Sequence, residues 1–150
     1  MALANQWILK PSIISQLILI FMPEDFRRLV PKDKSDLDAA EAAVASGFPA
    51  VEPILPELLE WIQDGNWPVA HTLIPFLSSI ERPLVPHLRR ILGTSDDVWK
   101  WWVLTDIVKD WPREVIAELR ADLERIAQHP TPGETTEEVA IEAREILDKL

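Results

Sequence analysis

Carboxylates are the most abundant reactive side chains in this chain, with 25 Asp and Glu against 15 Lys and Arg. Glu57 and Glu60, and Asp106 and Asp110, stand at the three- and four-residue spacings that bring two carboxyls together on a helix face. Such a pair can act as acid and base only if one member is withdrawn from water so that its pKa rises, which spacing does not supply. Solvated helix faces account for these acids as they stand. The three histidines, His71, His87 and His129, are dispersed, and no two have the i, i+4 spacing of a helical zinc site. Without cysteine there is neither a thiolate ligand nor a thiol nucleophile. Asp33, Asp36 and Asp38 lack the alternate-residue acids and central glycine of a calcium loop, and helix capping explains them better. A Gly-x-Ser-x-Gly turn and a phosphate-cradling glycine loop are both missing. No catalytic, cofactor-binding or metal-binding residue is therefore assigned.

Two other constellations suggest binding. Of seven tryptophans, Trp101 and Trp111 fall with Leu104 and Val108 on one helical stripe, predicted to be core. Trp99 and Trp102 fall on a different face with Asp106 and Asp110. An aromatic pair above two carboxylates suits a basic or methylated ligand, or a hot spot for a partner protein; packing between successive helices is the competing reading. The second constellation is charge segregation. From Ser35 to Glu81 there are eight acids and no Lys or Arg, and then Arg82, Arg89 and Arg90 follow beside His87. Either these are ordinary solvated faces or they form a docking ridge. The candidate partner-binding residues are Glu57, Glu60, Arg82, Arg89, Arg90, Trp99, Trp102 and Asp106.

These residues must be carried by helices. Ile54, Leu55, Leu58, Trp61 and Ile62 recur with the same mutual spacing as Leu84, Val85, Leu88, Ile91 and Leu92, and once more as Val115, Ile116, Leu119, Asp122 and Leu123. Each set makes one stripe at helical spacing, degraded in the third copy by Asp122. Pro53 and Pro56 map onto Pro83 and Pro86 at the same shift, both in a first turn, where a missing N–H costs nothing. Between the copies, Asn66 and Asp96 or Asp97 can cap further helices, with Trp67 and Trp99 at equivalent first-turn positions. All four glycines are expected between helices. Thr135 and Glu138 are expected to form a capping box for a final helix, and Pro75 should kink or end its helix by Ile74. Strand signals are weak. The prediction is an all-α fold, an α-α superhelix of helix pairs about 31 residues long, in which neighbours cover each other's apolar faces. Capping helices are expected at both ends.

The segments Asp64, Trp67 and Val69, and Ala50, Val51, Pro53 and Leu55, resemble HEAT repeats, although the Arg usual early in the first helix is missing. More closely, Leu29–Lys34, Ala50–Pro56, Asn66–Ala70 and Trp99–Lys100 look like a family of small, mostly bacterial proteins known only as a domain of unknown function. That resemblance runs from about Met22 to Leu150. It implies a helical fold and no established activity.

Composition narrows the function. A net charge of −10 repels phosphate backbones, so nucleic acid is not an expected partner. The uncharged run Pro11–Pro23 is 13 residues long, short of the roughly 20 needed to cross a bilayer. Residues 1–21 are read as a hydrophobic arm, docked on the repeats or exchanged between subunits of a homo-oligomer, and residues 22–150 as the repeat domain. The lack of cysteine is compatible with the cytoplasm. The expected function is a non-enzymatic protein-binding module, in a narrower form immunity- or inhibitor-like. The alternative is an enzyme with an aromatic, carboxylate-lined pocket, such as a helical-repeat hydrolase or glycosylase.

Overall fold

A computed structural model describes residues 24–150. The arm expected over residues 1–21, with its docking or exchange between subunits, lies outside the described residues. Every regular element among the described residues is helical. The chain divides into two compact units, the first ending at Phe76 and the second running Leu77–Leu150.

In the first unit, Asp36 opens the helix Leu37–Ser46 by accepting the Ala39 N–H. Gly47, at φ 72°, ends it. Ala39, Ala40 and Ala43 are buried along one side. Pro53 then sits in a 3₁₀ turn, Glu52–Ile54, that passes directly into the helix Leu55–Glu60. In the second unit the same construction returns at the second copy, as the turn Arg82–Leu84 and the helix Val85–Leu92, with Pro83 and Pro86 in place. Leu58, Leu88 and Leu119, the equivalent core positions, are all fully buried. The third copy departs from the pattern: the helix Arg113–Ile116 comes first, and the 3₁₀ turn Ala117–Leu119 follows it.

The helix Pro68–Ile80 passes through Pro75 without ending at Ile74. Proline in a helix interior costs about 3 kcal/mol. Leu73 and Leu77, on either side of it, are both fully buried. At roughly 1.5–3 kcal/mol per buried leucine, their burial offsets the lost hydrogen bond. Trp67 immediately precedes that helix, whereas Trp99 lies in the third position of the helix Asp97–Val103, so the two are not equivalent. Asn66 is not at the capping position, because the helix begins at Pro68; its backbone N–H donates to Asp64 Oδ1. Asp96 does cap, accepting the Trp99 N–H at 3.0 Å.

The helix Asp97–Val103 widens into a π-helical turn, Leu104–Val108, in which the Lys109 N–H donates to the Leu104 carbonyl five residues back. The reason lies in the buried positions. Trp99, Val103, Ile107 and Trp111 recur every four residues, as do Lys100, Leu104 and Val108. On an α-helix a four-residue repeat drifts by about 40° at each step, and a wider turn cancels the drift. The second unit is completed by the helices Arg120–Gln128, Pro132–Thr136 and Val139–Leu147. Val139–Leu147 packs on Arg120–Gln128 and on Asp97–Val103 through Val139, Ala140, Ala143 and Ile146.

Candidate functional site

The second unit holds a group of charges that stands apart from the rest of its interior. Once Asp96 has set the start of the helix Asp97–Val103, Lys100 turns inward between Trp99 and Val103 and is left only 2% exposed. A buried ammonium is tolerated only when its hydrogen bonds are met. Lys100 Nζ donates to Asp97 Oδ1 at 2.8 Å and to Glu134 Oε1 at 2.8 Å. Glu134, itself fully buried, also takes both arms of the Arg125 guanidinium, at 2.6 and 2.8 Å. The four groups Asp97, Lys100, Arg125 and Glu134 balance in charge.

Local sequence places Glu134. Thr131-Pro132-Gly133-Glu134 is a capping box: Thr131 Oγ1 accepts the Glu134 N–H, and Glu134 Oε2 accepts the Thr131 N–H at 2.9 Å. Pro132 supplies the first helical φ. Gly133 brings the two helices together, because a Cβ there would lie 1.9 Å from Asp97 Oδ2. The box expected at Thr135 and Glu138 thus forms four residues earlier, and Gly133 lies inside a helix rather than between helices. The same Thr-x-x-Glu pattern occurs at both places, but only Thr131 is followed by a proline suited to the first helical position. Burial by itself would raise the Glu134 pKa. The hydrogen bonds from Arg125, Lys100 and the Thr131 N–H outweigh it and hold the carboxyl at about 2. The bond to Glu134 raises the Arg125 guanidinium in turn.

Next to this cluster is a cavity of about 210 Å³ lined by Val98, Trp101, Thr136, Glu137 and Glu138. Its two walls come from the two segments that Lys100 and Glu134 join. Trp101 meets Trp102 edge to face, with ring centroids 4.9 Å apart. Glu138 adopts the left-handed conformation, φ 61° and ψ 13°, which is uncommon for a residue with a Cβ. Glu137 and Glu138 are exposed, and among the described residues neither carboxylate has an ion-pair partner.

A family model described as Domain of unknown function (DUF5071) matches residues 29–147, about four-fifths of the chain. The chain belongs to this family. No curated protein matches it in sequence. The DUF5071 match takes in every residue of the ion cluster and of the cavity.

The residues singled out from the sequence fall in several places. Glu57 and Glu60 are buried, at 2% and 8% exposure, and so cannot form the acidic edge of a docking ridge. Their helix buries Leu55, Leu58 and Leu59 as well, so burial there is not confined to one apolar stripe. Trp99 is also buried, whereas Trp101, expected in the core, is half-exposed. The four-residue burial repeat and its π turn explain the exchange. Trp102 and Asp106 are half-buried on the surface of the second unit. Arg82 and Arg89 converge on one segment: Arg82 Nε donates to Glu118 Oε1 at 2.5 Å, and Arg89 donates to the Glu118 carbonyl at 2.8 Å and to Asp122 at 3.3 Å. Arg90 is exposed.

Sequence reasoning missed Lys100, Arg125, Gly133 and Glu134. The proline-marked capping box was a readable signal for Glu134. A lone lysine flanked by tryptophans was a weaker one for Lys100, since its ammonium must either reach water or find a carboxylate. No helix among the described residues is long and apolar enough to cross a membrane, and no group of three or more His, Asp or Glu stands ready to hold a metal ion.

Proposed function

We propose that this domain is a non-enzymatic, cytoplasmic protein-binding module whose contact surface is centred on Trp101 and Trp102 of the second unit. An immunity- or inhibitor-like role is the narrower form of that reading. The observation that carries it is the half-exposed Trp101–Trp102 pair on a helix anchored by the Lys100–Glu134 ion pair. Rigid aromatic side chains beside a recess are the residues that most often dominate protein interfaces. Arg90, together with the partly satisfied Arg82 and Arg89, adds a basic patch that would influence encounter rate more than affinity. The return of a proline-opened 3₁₀ turn and helix at the second copy supports reading the helix pairs as HEAT-like. A net charge of −10 favours protein over nucleic acid.

The cavity's aromatic wall and carboxylates also suit the enzyme alternative. Glu137 and Glu138 are both open to water, however, and a general acid needs a carboxyl withdrawn from it. That favours binding over catalysis. The test is quantitative co-purification from the native host with the parent and with Trp101→Ala/Trp102→Ala. A protein retained by the parent and lost from the double variant, with the variant's melting unchanged, supports the module. Retention profiles that coincide would remove this surface from consideration.

A further inference from the structure

The cavity beside the ion cluster is specific enough to indicate what it would hold. Its volume of about 210 Å³ lies below the roughly 300–1,000 Å³ of sites for drug-sized ligands. A recess of that size suits one side chain better than a whole drug-sized molecule. Trp101 and Val98 offer apolar contact to an alkyl stem, and the opposite segment contributes two acidic residues, Glu137 and Glu138, to the lining. The cations of the adjoining cluster are already committed, since Lys100 is held by Asp97 and Glu134, and Arg125 by Glu134. The cluster's charges cancel, so the two pocket carboxylates remain as local negative charge on a chain whose net charge is also negative. Aromatic wall, acidic rim and side-chain dimensions together select an amphipathic cation.

We infer that this pocket receives a basic side chain, arginine or lysine, presented by a partner protein. The inference rests on the protein-binding reading above and names the chemistry recognised. Arginine suits the site well, because its guanidinium can lie against an indole while donating to carboxylates.

The test uses four blocked amino acids as probes, N-acetyl amides of arginine, lysine, norleucine and glutamate, titrated against the full chain. Binding is read from the indole N–H resonances, with Trp101→Phe identifying the Trp101 signal. Both cations should shift that signal and bind about tenfold or more tightly than norleucine, and glutamate should not bind. Glu137→Gln/Glu138→Asn removes both charges while keeping a residue that accepts the left-handed conformation. It should cost about tenfold in cation affinity and leave the melting temperature near the parent's. Cations that bind no better than norleucine, or a double variant that binds them undiminished, would overturn the inference. If the probes fail while Trp101→Ala/Trp102→Ala still releases the co-purified partner, the basic-side-chain assignment falls and the binding module stands. If the probes bind and no partner is released, the module falls instead.

Discussion

Two Thr-x-x-Glu segments follow one another without a gap, Thr131–Glu134 and Thr135–Glu138, and the protein uses them in opposite ways. The first closes a capping box, starts a helix and sends Glu134 into the interior against Lys100 and Arg125. The second ends that helix, turns Glu138 through a left-handed conformation and leaves its carboxylate in water at the rim of the cavity. Their third residues also diverge. Gly133 leaves no room for a side chain, while Glu137 has one that lines the pocket. A motif that satisfies backbone donors at one register becomes a turn when shifted by four residues, because the first helix has already claimed the following N–H groups.

The contrast predicts unequal costs for equivalent substitutions. Glu134→Ala leaves Lys100 buried without its interhelical partner and frees Arg125, which at 43% side-chain exposure can return to water. The expected loss is about 3 kcal/mol, below the upper range for breaking a buried pair. Glu138→Ala should change stability by less than about 0.5 kcal/mol, as exposed substitutions generally do. Urea unfolding of the two variants measures the difference, and equal losses would mean that the two motifs do equivalent structural work.

Acid should expose the same asymmetry. Glu134 titrates at about 2 in the folded protein and near 4.3 in an unfolded chain, so between these values the unfolded state binds the extra proton. Its contribution, on the order of 3 kcal/mol, is complete above about pH 4.5 and lost as the pH falls toward 2. Stability curves of the parent and Glu134→Gln should therefore converge on acidification through that window, while the gap between the parent and Glu138→Gln stays flat. A constant gap for Glu134→Gln would show that its charge is not what secures the cluster.

A smaller effect is expected at Gly133. Gly133→Ala puts a methyl 1.9 Å from Asp97 Oδ2, and Asp97 must give way by moving off Lys100. Overpacking of this kind costs roughly 1–3 kcal/mol. Asp97→Ala in the same chain should make the Gly133→Ala change cheaper, a coupling that thermal unfolding of the four proteins would reveal. Additive losses would place the clash elsewhere.

The smallest change should be favourable. Glycine adopts φ 61° freely, so Glu138→Gly relieves a conformation costing about 1 kcal/mol, partly offset by the added freedom of the unfolded chain. A slight rise in melting temperature is expected. A fall would assign the Glu138 side chain a structural contact in addition to its place at the rim.

The helical architecture was legible because it depends on short-range regularities. The stripe through Leu58, its return at Leu88 and Leu119, the prolines at 53 and 83, and the Asp96 cap are all visible as spacing, and each has its expected burial or bond. Exposure was less legible. Glu57 and Glu60 look solvated by composition and are buried, while Trp99 and Trp101 exchanged the places that an ideal α-helical period assigns them. A π turn that depends on what the helix packs against cannot be read from the helix alone.

By itself the sequence determined that the chain is helical, that Asp96 opens a helix and that Leu58, Leu88 and Leu119 are core, since these follow from backbone hydrogen bonding and a fixed period within a few residues. Only the tertiary structure decided which charges would meet. Lys100 and Glu134 are 34 residues apart along the chain and 2.8 Å apart in space, and each supplies part of the other's compensation for burial. The cavity beside them is equally tertiary, since Val98 and Trp101 meet Thr136, Glu137 and Glu138 only in the fold, where a buried ammonium and carboxylate attract strongly because little water is left to screen them.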